Sequence, residues 1–300
     1  MINNPSFSVV IPTYNRAGFI RKTIESVLAQ SFQDFEIIVV DDGSTDHTEE
    51  VVISIVSDKI RYYKKENAER AAARNFGAKI SYGQYVNFLD SDDIVYPNHL
   101  QVANEFTVHH KGVEIFHLGY DVQDEHGKLL WSQTTIKNIN NQIVSGNILS
   151  CNGVFIRRDV SLENQFNEDR ALSSLEDWEL WIRMSARLYF ANSTQITSAI
   201  VLHEERSVMS ADQKKLTLKA DHFVKYVSED TKNKEVYADQ FKTIFSSVYM
   251  YTALHLAMIG GNTYLVLKYL NKGLRHNLRS ILTKRFLAIL KLMIFSRSKS

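Results

Sequence analysis

A single cysteine, Cys151, is all the thiol chemistry this 300-residue chain has. That excludes an internal disulfide framework and any cysteine-based zinc cluster, and it suits a reducing compartment. Twelve glycines and three prolines are too few for a collagen-like or linker-rich protein. No apolar run approaches the ~18 residues of a membrane span. The best stretch, Phe286 to Phe295, has ten residues with Lys291 among them. The opening MINNPSFSVV has neither the basic region nor the apolar core of a secretory leader. These absences predict a soluble or peripheral cytoplasmic protein. GxGxxG and the P-loop pattern are missing too, so the usual dinucleotide and P-loop fingerprints do not apply.

Acidic residues are missing from one end. None follows Asp239, whereas residues 240–300 carry ten Lys or Arg, a net +10. The first 239 residues hold 25 basic and 34 acidic groups, a net −9, so the overall +1 conceals a strong asymmetry. Such a tail is suited to an anionic surface. No nucleic-acid-binding module is recognisable, so nucleic acid is not an expected partner; the tail reads either as a helix lying on an anionic membrane surface or as a helical subdomain that packs its apolar face on the rest of the chain with the basic face solvated.

What is present is ordinary globular composition, 44% apolar and 23% charged. Phe7 to Ile11 is a continuous apolar run, as in a strand buried on both faces. Ala17 to Gln30 carries Ile20, Ile24, Val27 and Leu28 on one helical face. Phe35 to Val40 and Ile60 to Lys64 read as strands, Ala68 to Ile80 as a helix, Gln84 to Leu89 as a strand, and Pro97 to His110 as a helix. Val113 to Tyr120, Gly153 to Arg157 and Ile196 to Leu202 read as further strands, and Glu176 to Leu188 as a helix. From Ala211 the pattern is helical, broken at Gly260-Gly261-Asn262 and again at Gly273. The alternation predicts an α/β domain, a Rossmann-like, mostly parallel sheet with helices on both faces. The predicted domains are 1–210 and a helical, basic region 211–300.

Three polar clusters fall at predicted strand ends, where open α/β sheets bind ligands. They are Thr13-Tyr14-Asn15-Arg16, Asp41-Asp42 and Asp90-Ser91-Asp92. Alternate residues leaving a strand point the same way, so Asp90 and Asp92 can face one site. Their hard oxygens suit Mg²⁺ or Mn²⁺ shared with substrate phosphates. The bland alternative is an acidic turn ahead of a helix. His109-His110 reads as structural and Cys151 as buried filler, with Asn152 beside it on the acceptor side.

The ordered stretches SVVIPTYNRAGFIRKTIESVLAQSFQDFEIIVVDDGSTDHT, AERAAARNFGAKISYGQYVNFLDSDDIVYPNHL and LEDWELWIRM resemble the family 2 glycosyltransferases of the GT-A fold. The resemblance is close over residues 7 to about 105 and weaker to about 210. It implies a nucleotide-wrapping loop at Pro12, Thr13, Tyr14 and Arg16, with Asp41 and Asp42 at the base and ribose. It implies nucleotide contacts at Arg74 and Asn75, and a DxD motif at Asp90-Ser91-Asp92 with Asp92 the direct metal ligand. Glu176-Asp177-Trp178 matches the ED motif, with Asp177 as catalytic base. His203 falls near a further metal or phosphate contact. Arg206, three residues on, reads either as a phosphate contact or as a solvated loop charge.

The implied reaction is inverting transfer from a nucleotide-diphosphate sugar, UDP expected, to a hydroxyl acceptor. Surface polysaccharide or glycolipid assembly, with a sugar or lipid-linked sugar acceptor, would suit it. A divalent cation neutralises the leaving diphosphate, and a carboxylate takes the acceptor proton. Negative charge at a helix N-terminus is stabilised, whereas Trp178 and Trp181 would either wall a sugar or pack in the core. Two alternatives stay open: a nucleotidyltransferase, whose Gly- and Lys-rich loop is missing here, and a non-catalytic nucleotide-sugar-binding protein.

Overall fold

The computed structural model describes residues 4–134, 136–204 and 212–297. Arg206 and the predicted boundary at residue 211 lie outside them. In chain order the strands are β1 (Phe7–Thr13), β2 (Phe35–Asp41), β3 (Ile60–Lys64), β4 (Tyr85–Phe88), β5 (Ile94–Val95), β6 (Ile115–Asp124), β7 (Leu129–Gln133), β8 (Val154–Arg157) and β9 (Ala191–Leu202). The helices are α1 (Ile20–Leu28), α2 (Thr48–Ile53), α3 (Glu69–Ile80), α4 (His99–His109), α5 (Ile139–Gln142), α6 (Arg158–Glu163) and α7 (Glu176–Ser185). Then come α8 (Gln213–Glu229), α9 (Thr231–Tyr237), α10 (Phe241–Met258), α11 (Thr263–His276) and α12 (Lys284–Arg297).

The chain divides into two compact units. The first comprises residues 1–139, 149–170 and 188–203; the second, residues 140–148, 171–187 and 204–300. The helical unit therefore includes α7 and residues 140–148, which a boundary at residue 211 assigns to the first domain.

The first unit holds one nine-stranded sheet in the order β3-β2-β1-β4-β8-β6-β9-β5, with β7 paired to β6. β1 to β4 are parallel. The apolar runs of β1 and β2 follow from burial on both faces: Val10 and Ile38 are each 0% exposed, while β3, at the sheet edge, is only partly buried. Beyond β4 the sheet turns mixed, with β8 antiparallel to β4 and β6 and β9 parallel to β6. The Ala-rich sequence of α3 has a packing cause. Its face over β1 is so close that a Cβ on Gly77 would lie 2.3 Å from Val10 Cγ1. Phe7, Phe116 and Phe155 fill the centre of the core, where Phe116 and Phe155 stack at 5.0 Å.

The second unit is helical. Trp178 stacks on Phe223 at 4.5 Å, and Ile244, Val248, Leu256 and Ile289 are each 0% exposed. The predicted break at Gly260 is real: α10 ends and Gly260 takes φ +65°. The predicted break at Gly273 is not. Gly273 lies inside α11, where a Cβ would meet Met250 Cγ at 2.9 Å. This glycine serves close helix packing rather than termination. Among the described residues no helix is long and apolar enough to cross a membrane.

Candidate active site

The site of the first unit is built at the carboxyl ends of its parallel strands. β1 ends at Thr13, and Asn15 follows with φ +51°, a left-handed turn that asparagine tolerates. That turn is stitched to the loop after β2. Asn15 N donates to Ser44 Oγ at 2.9 Å, and Thr45 N donates to Asn15 Oδ1 at 2.8 Å. Pro12 and Thr13 are buried, and Thr13 Oγ1 has no hydrogen-bond partner among the described residues. Tyr14 is 46% exposed, a ring open to solvent.

Asp41 and Asp42 are both occupied within the protein. Asp41 accepts from Ser44 N at 2.7 Å and from the Tyr62 hydroxyl at 2.6 Å. Burial first, and then the bond to Asp41, pushes the Tyr62 pKa far up. Asp42 accepts from Lys65 Nζ at 2.7 Å and from Ala68 N at 3.0 Å. These carboxylates set the loop that carries them. Neither Lys65 nor Tyr62 has a sequence signal beyond its position on β3 or just after it.

Behind β4 the chain reaches the DSDD run. Asp90, Asp92 and Asp93 each present a carboxylate oxygen, all within 4.8 Å of one another. Three carboxylates so close repel strongly unless compensated. The compensation is visible. Arg74, 2% exposed on α3, donates from Nη2 to Asp90 Oδ1 at 2.6 Å. Arg16 Nε lies 3.5 Å from Asp92 Oδ2, and His203 Nε2 lies 3.1 Å from the same oxygen. His203 is buried against Phe19, its ring stacked at 4.3 Å. Its Nδ1 has no partner among the described residues.

The contacts of Arg16 and His203 to Asp92 both use Oδ2, and no described residue bonds Oδ1. Hard oxygens and a vacant carboxylate lone pair fit a divalent cation. Asp93, which sequence reading passes over, is in the cluster, but its Oδ1 accepts from Val201 N at 3.0 Å and so ties the run to β9. Ser91 is buried, with its carbonyl accepting from Thr23 Oγ1 at 3.0 Å. Asn75 is a strut: its amide donates to Phe166 O at 2.9 Å and Glu168 Oε1 at 2.8 Å, and its Oδ1 accepts from Phe166 N at 2.9 Å.

Asp177 belongs to the second unit, in the first turn of α7, where backbone N–H groups favour negative charge. Its Oδ2 accepts from Asn147 Nδ2 at 2.8 Å. Asn147 was not foreseen, because nothing in the sequence links residues thirty positions apart. Glu176 is buried. Of the two alternatives for Trp178, the structure has core packing. That residue is 2% exposed, its ring lies on Phe223, and its indole N–H donates to Ile143 O at 2.8 Å. Trp181, at 0% exposure, is core as well. Both rings anchor α7 and so hold Asp177 in place.

Comparison with known proteins follows the same lines. An uncharacterized glycosyltransferase of Rickettsia bellii is 31% identical over 240 residues, 75% of this chain and 34% of that protein. The chain thus spans about a third of the length of that relative. S. aureus TarS, solved in complex with UDP-GlcNAc, superposes with a TM-score of 0.59 at 19% identity, over 90% of this chain and 89% of that one. The mannosyltransferase PcManGT from Pyrobaculum calidifontis, solved with GDP-Man and Mn²⁺, gives 0.60 at 16% identity, over 99% and 87%. These likenesses bear out the GT-A α/β fold with its helical C-terminal region. The family model described as glycosyl transferase family 2 matches residues 8–164, more than half of the chain, and the protein belongs to that family.

Proposed function

We propose that this chain transfers a sugar from a nucleotide-diphosphate sugar to a hydroxyl acceptor with inversion, using Mn²⁺ or Mg²⁺. The observation that carries this reading is the carboxylate cluster of Asp90, Asp92 and Asp93 set among Arg16, Arg74 and His203. An isolated acidic turn needs no such set of nitrogen donors around it. A dense diphosphate does need both a cation and positive side chains. Relatives of this fold have been solved with UDP-GlcNAc and with GDP-Man and Mn²⁺, and UDP is the donor nucleotide we favour.

In this reading Asp92, with Asp90 and His203, would hold the metal. When bound, the metal supplies charge neutralisation for the leaving diphosphate. Arg74 holds Asp90 in orientation, and Arg16 meets the phosphates. Tyr14, the exposed ring of the first loop, stacks on the base. Asp41 and Asp42 shape the nucleoside pocket through the loops that they fasten. Asp177 takes the proton from the acceptor hydroxyl. The hydroxyl oxygen then forms its bond to the anomeric carbon as the bond to the diphosphate oxygen breaks, and the nucleoside diphosphate leaves. Asn147 keeps the Asp177 carboxylate facing the acceptor.

The acceptor we favour is a sugar or lipid-linked sugar of surface polysaccharide or glycolipid assembly. Such acceptors lie at membranes, and the basic α12 suits a protein working on the anionic inner face. Asp177→Asn tests the assignment. The variant is expected to keep the metal-dependent melting shift with its nucleotide sugar and to lose transfer by about 10²–10⁴-fold, the worth of general base catalysis. Unchanged transfer would remove Asp177 from the mechanism. Absence of any donor shift in the folded wild type would favour a non-catalytic role.

A further inference from the structure

The segment after α6 reaches the acidic cluster by way of α3. Phe166 is 4% exposed, and one side chain ties its backbone at both ends. The Asn75 amide donates to Phe166 O at 2.9 Å, and Asn75 Oδ1 accepts from Phe166 N at 2.9 Å. The same amide donates to Glu168 Oε1 at 2.8 Å. An asparagine that gives to and takes from one residue fixes that residue in both position and orientation. The Phe166 ring meets Phe88 of β4 edge-on, with centroids 5.1 Å apart at 88°. The Arg74 guanidinium lies over that ring, 5.1 Å from its centroid.

Arg74 is itself 2% exposed, and its Nη2 donates to Asp90 Oδ1 at 2.6 Å. The path Asn75–Phe166–Arg74–Asp90 thus runs from the backbone after α6 to a carboxylate of the acidic cluster, and all four residues belong to the first unit. An aromatic face attracts a guanidinium most strongly where water is excluded. Leucine at this position would fill most of the same space and offer no such face. The ring therefore does something for Arg74 that apolar volume alone does not.

We propose that Phe166 is a positioning residue of the metal site, holding Arg74 so that the Asp90 carboxylate stays set for a divalent cation shared with Asp92. This rests on the metal-dependent transferase reading. Phe166 acts only through Arg74, and Asn75 acts on Phe166 through its backbone. Residues that orient a metal ligand without binding the metal change affinity about 10- to 100-fold, and one step further out about threefold to tenfold is expected.

The test is a series of melting curves of the full chain over increasing Mn²⁺ with saturating UDP and, separately, GDP. Phe166→Leu and Phe166→Met are each expected to raise the half-saturating Mn²⁺ concentration by about threefold to tenfold. Phe166→Tyr, which keeps the ring, should leave that concentration unchanged even where it alters the melting temperature. With Arg74→Met already in place, Phe166→Leu should make no further difference to Mn²⁺, because the guanidinium through which it acts is gone. A residue that merely fills the core would lower the metal-free melting temperature and leave the half-saturating concentration where it was. That result in whichever of the Leu and Met variants folds overturns the proposal, as does an equal effect of Phe166→Leu with and without Arg74. A wild-type chain that shows no Mn²⁺-dependent shift with either nucleotide sinks the metal reading and this inference with it. A wild-type shift that the Leu and Met variants reproduce at the same Mn²⁺ concentration sinks this inference alone.

Discussion

His203 Nε2 donates to Asp92 Oδ2 at 3.1 Å across 111 positions of sequence, joining the end of β9 to the acidic run behind β4. The contact orients the Asp92 carboxylate and leaves its Oδ1 without a bond to any described residue. Ligand sets whose supporting bonds are removed typically lose about 10- to 100-fold in metal affinity. His203→Asn is therefore expected to raise by that factor the Mn²⁺ concentration that half-saturates donor-induced stabilisation. Melting curves over a Mn²⁺ series at fixed nucleotide sugar check it. An unchanged half-saturation point would detach His203 from the metal site.

Two histidines buried in the first unit predict an early acid transition. Burial pushes the pKa of His99 and of His117 down to about 3 from an ordinary 6.5. Above pH 6.5 both are neutral whether folded or unfolded, and they contribute no slope. Below it the unfolded chain binds protons that the fold refuses, so stability falls as pH drops from 6.5 towards 3. The slope approaches about 1.4 kcal/mol per pH unit for each histidine. Denaturant unfolding at pH 7.5, 6 and 5 should show the loss. His99→Gln, which retains an amide for Thr197 Oγ1, the partner of Nδ1 at 2.7 Å, should flatten the slope by about half. A wild-type chain equally stable at pH 7.5 and pH 5 would contradict the burial of these rings.

The parallel half of the sheet is legible because β1 and β2 carry the short apolar runs Val9 to Ile11 and Ile37 to Val40, bounded by turn residues, as strands buried on both faces do. In the mixed part β6, β8 and β9 are legible as strands, but their pairing is not, and β5 and β7 are missed. β5 has two residues, and β7 carries Leu129, Leu130 and Trp131, all about half exposed, so it gives no burial signal. In the site, the acidic runs are visible as runs. The convergence of Arg16, Arg74 and His203 on them joins the loop after β1, α3 and the end of β9, which spacing along the chain does not encode. Trp178 reads equally as platform or core until Phe223 is seen against it. Asn147 has no signal at all, lying in a stretch whose partners all come from elsewhere in the chain.

Gly77 tests the packing of α3 on β1. A methyl group there would overlap Val10 Cγ1 at 2.3 Å, and overpacking of a dense core costs about 1–3 kcal/mol. Gly77→Ala is expected to lower unfolding free energy by that amount despite the better helix propensity of alanine. Val10→Ala alone also destabilises, by opening a cavity. Together the two should be less destabilising than the sum of the singles, because the new methyl occupies the space that the valine vacates. Strict additivity in the double-mutant cycle would show that α3 does not press on Val10.

The exposed face of α12 carries a test of membrane binding. Leu287, Leu290 and Ile294 recur at helical spacing and are 61%, 37% and 68% exposed. Lys284 and Lys291, both exposed, flank that row, while Ile289 on the opposite side is 0% exposed. The helix is therefore held in its unit by one face and leaves large aliphatic side chains in water on the other. Leu278 and Leu282, 71% and 84% exposed just before α12, extend the apolar surface. A row of aliphatics bordered by lysines suits the headgroup region, apolar groups inward and ammonium groups outward. Each lysine near an anionic surface adds about 1 kcal/mol. Vesicles containing phosphatidylglycerol should carry the protein in flotation. Lys284→Gln with Lys291→Gln should weaken binding about thirtyfold, and Leu287→Ser with Ile294→Ser should do so at least as much. Salt should suppress the lysine contribution and spare the aliphatic one. Equal recovery with neutral phosphatidylcholine vesicles would leave the lysines without a role. No flotation on either would mean that this face meets something other than lipid.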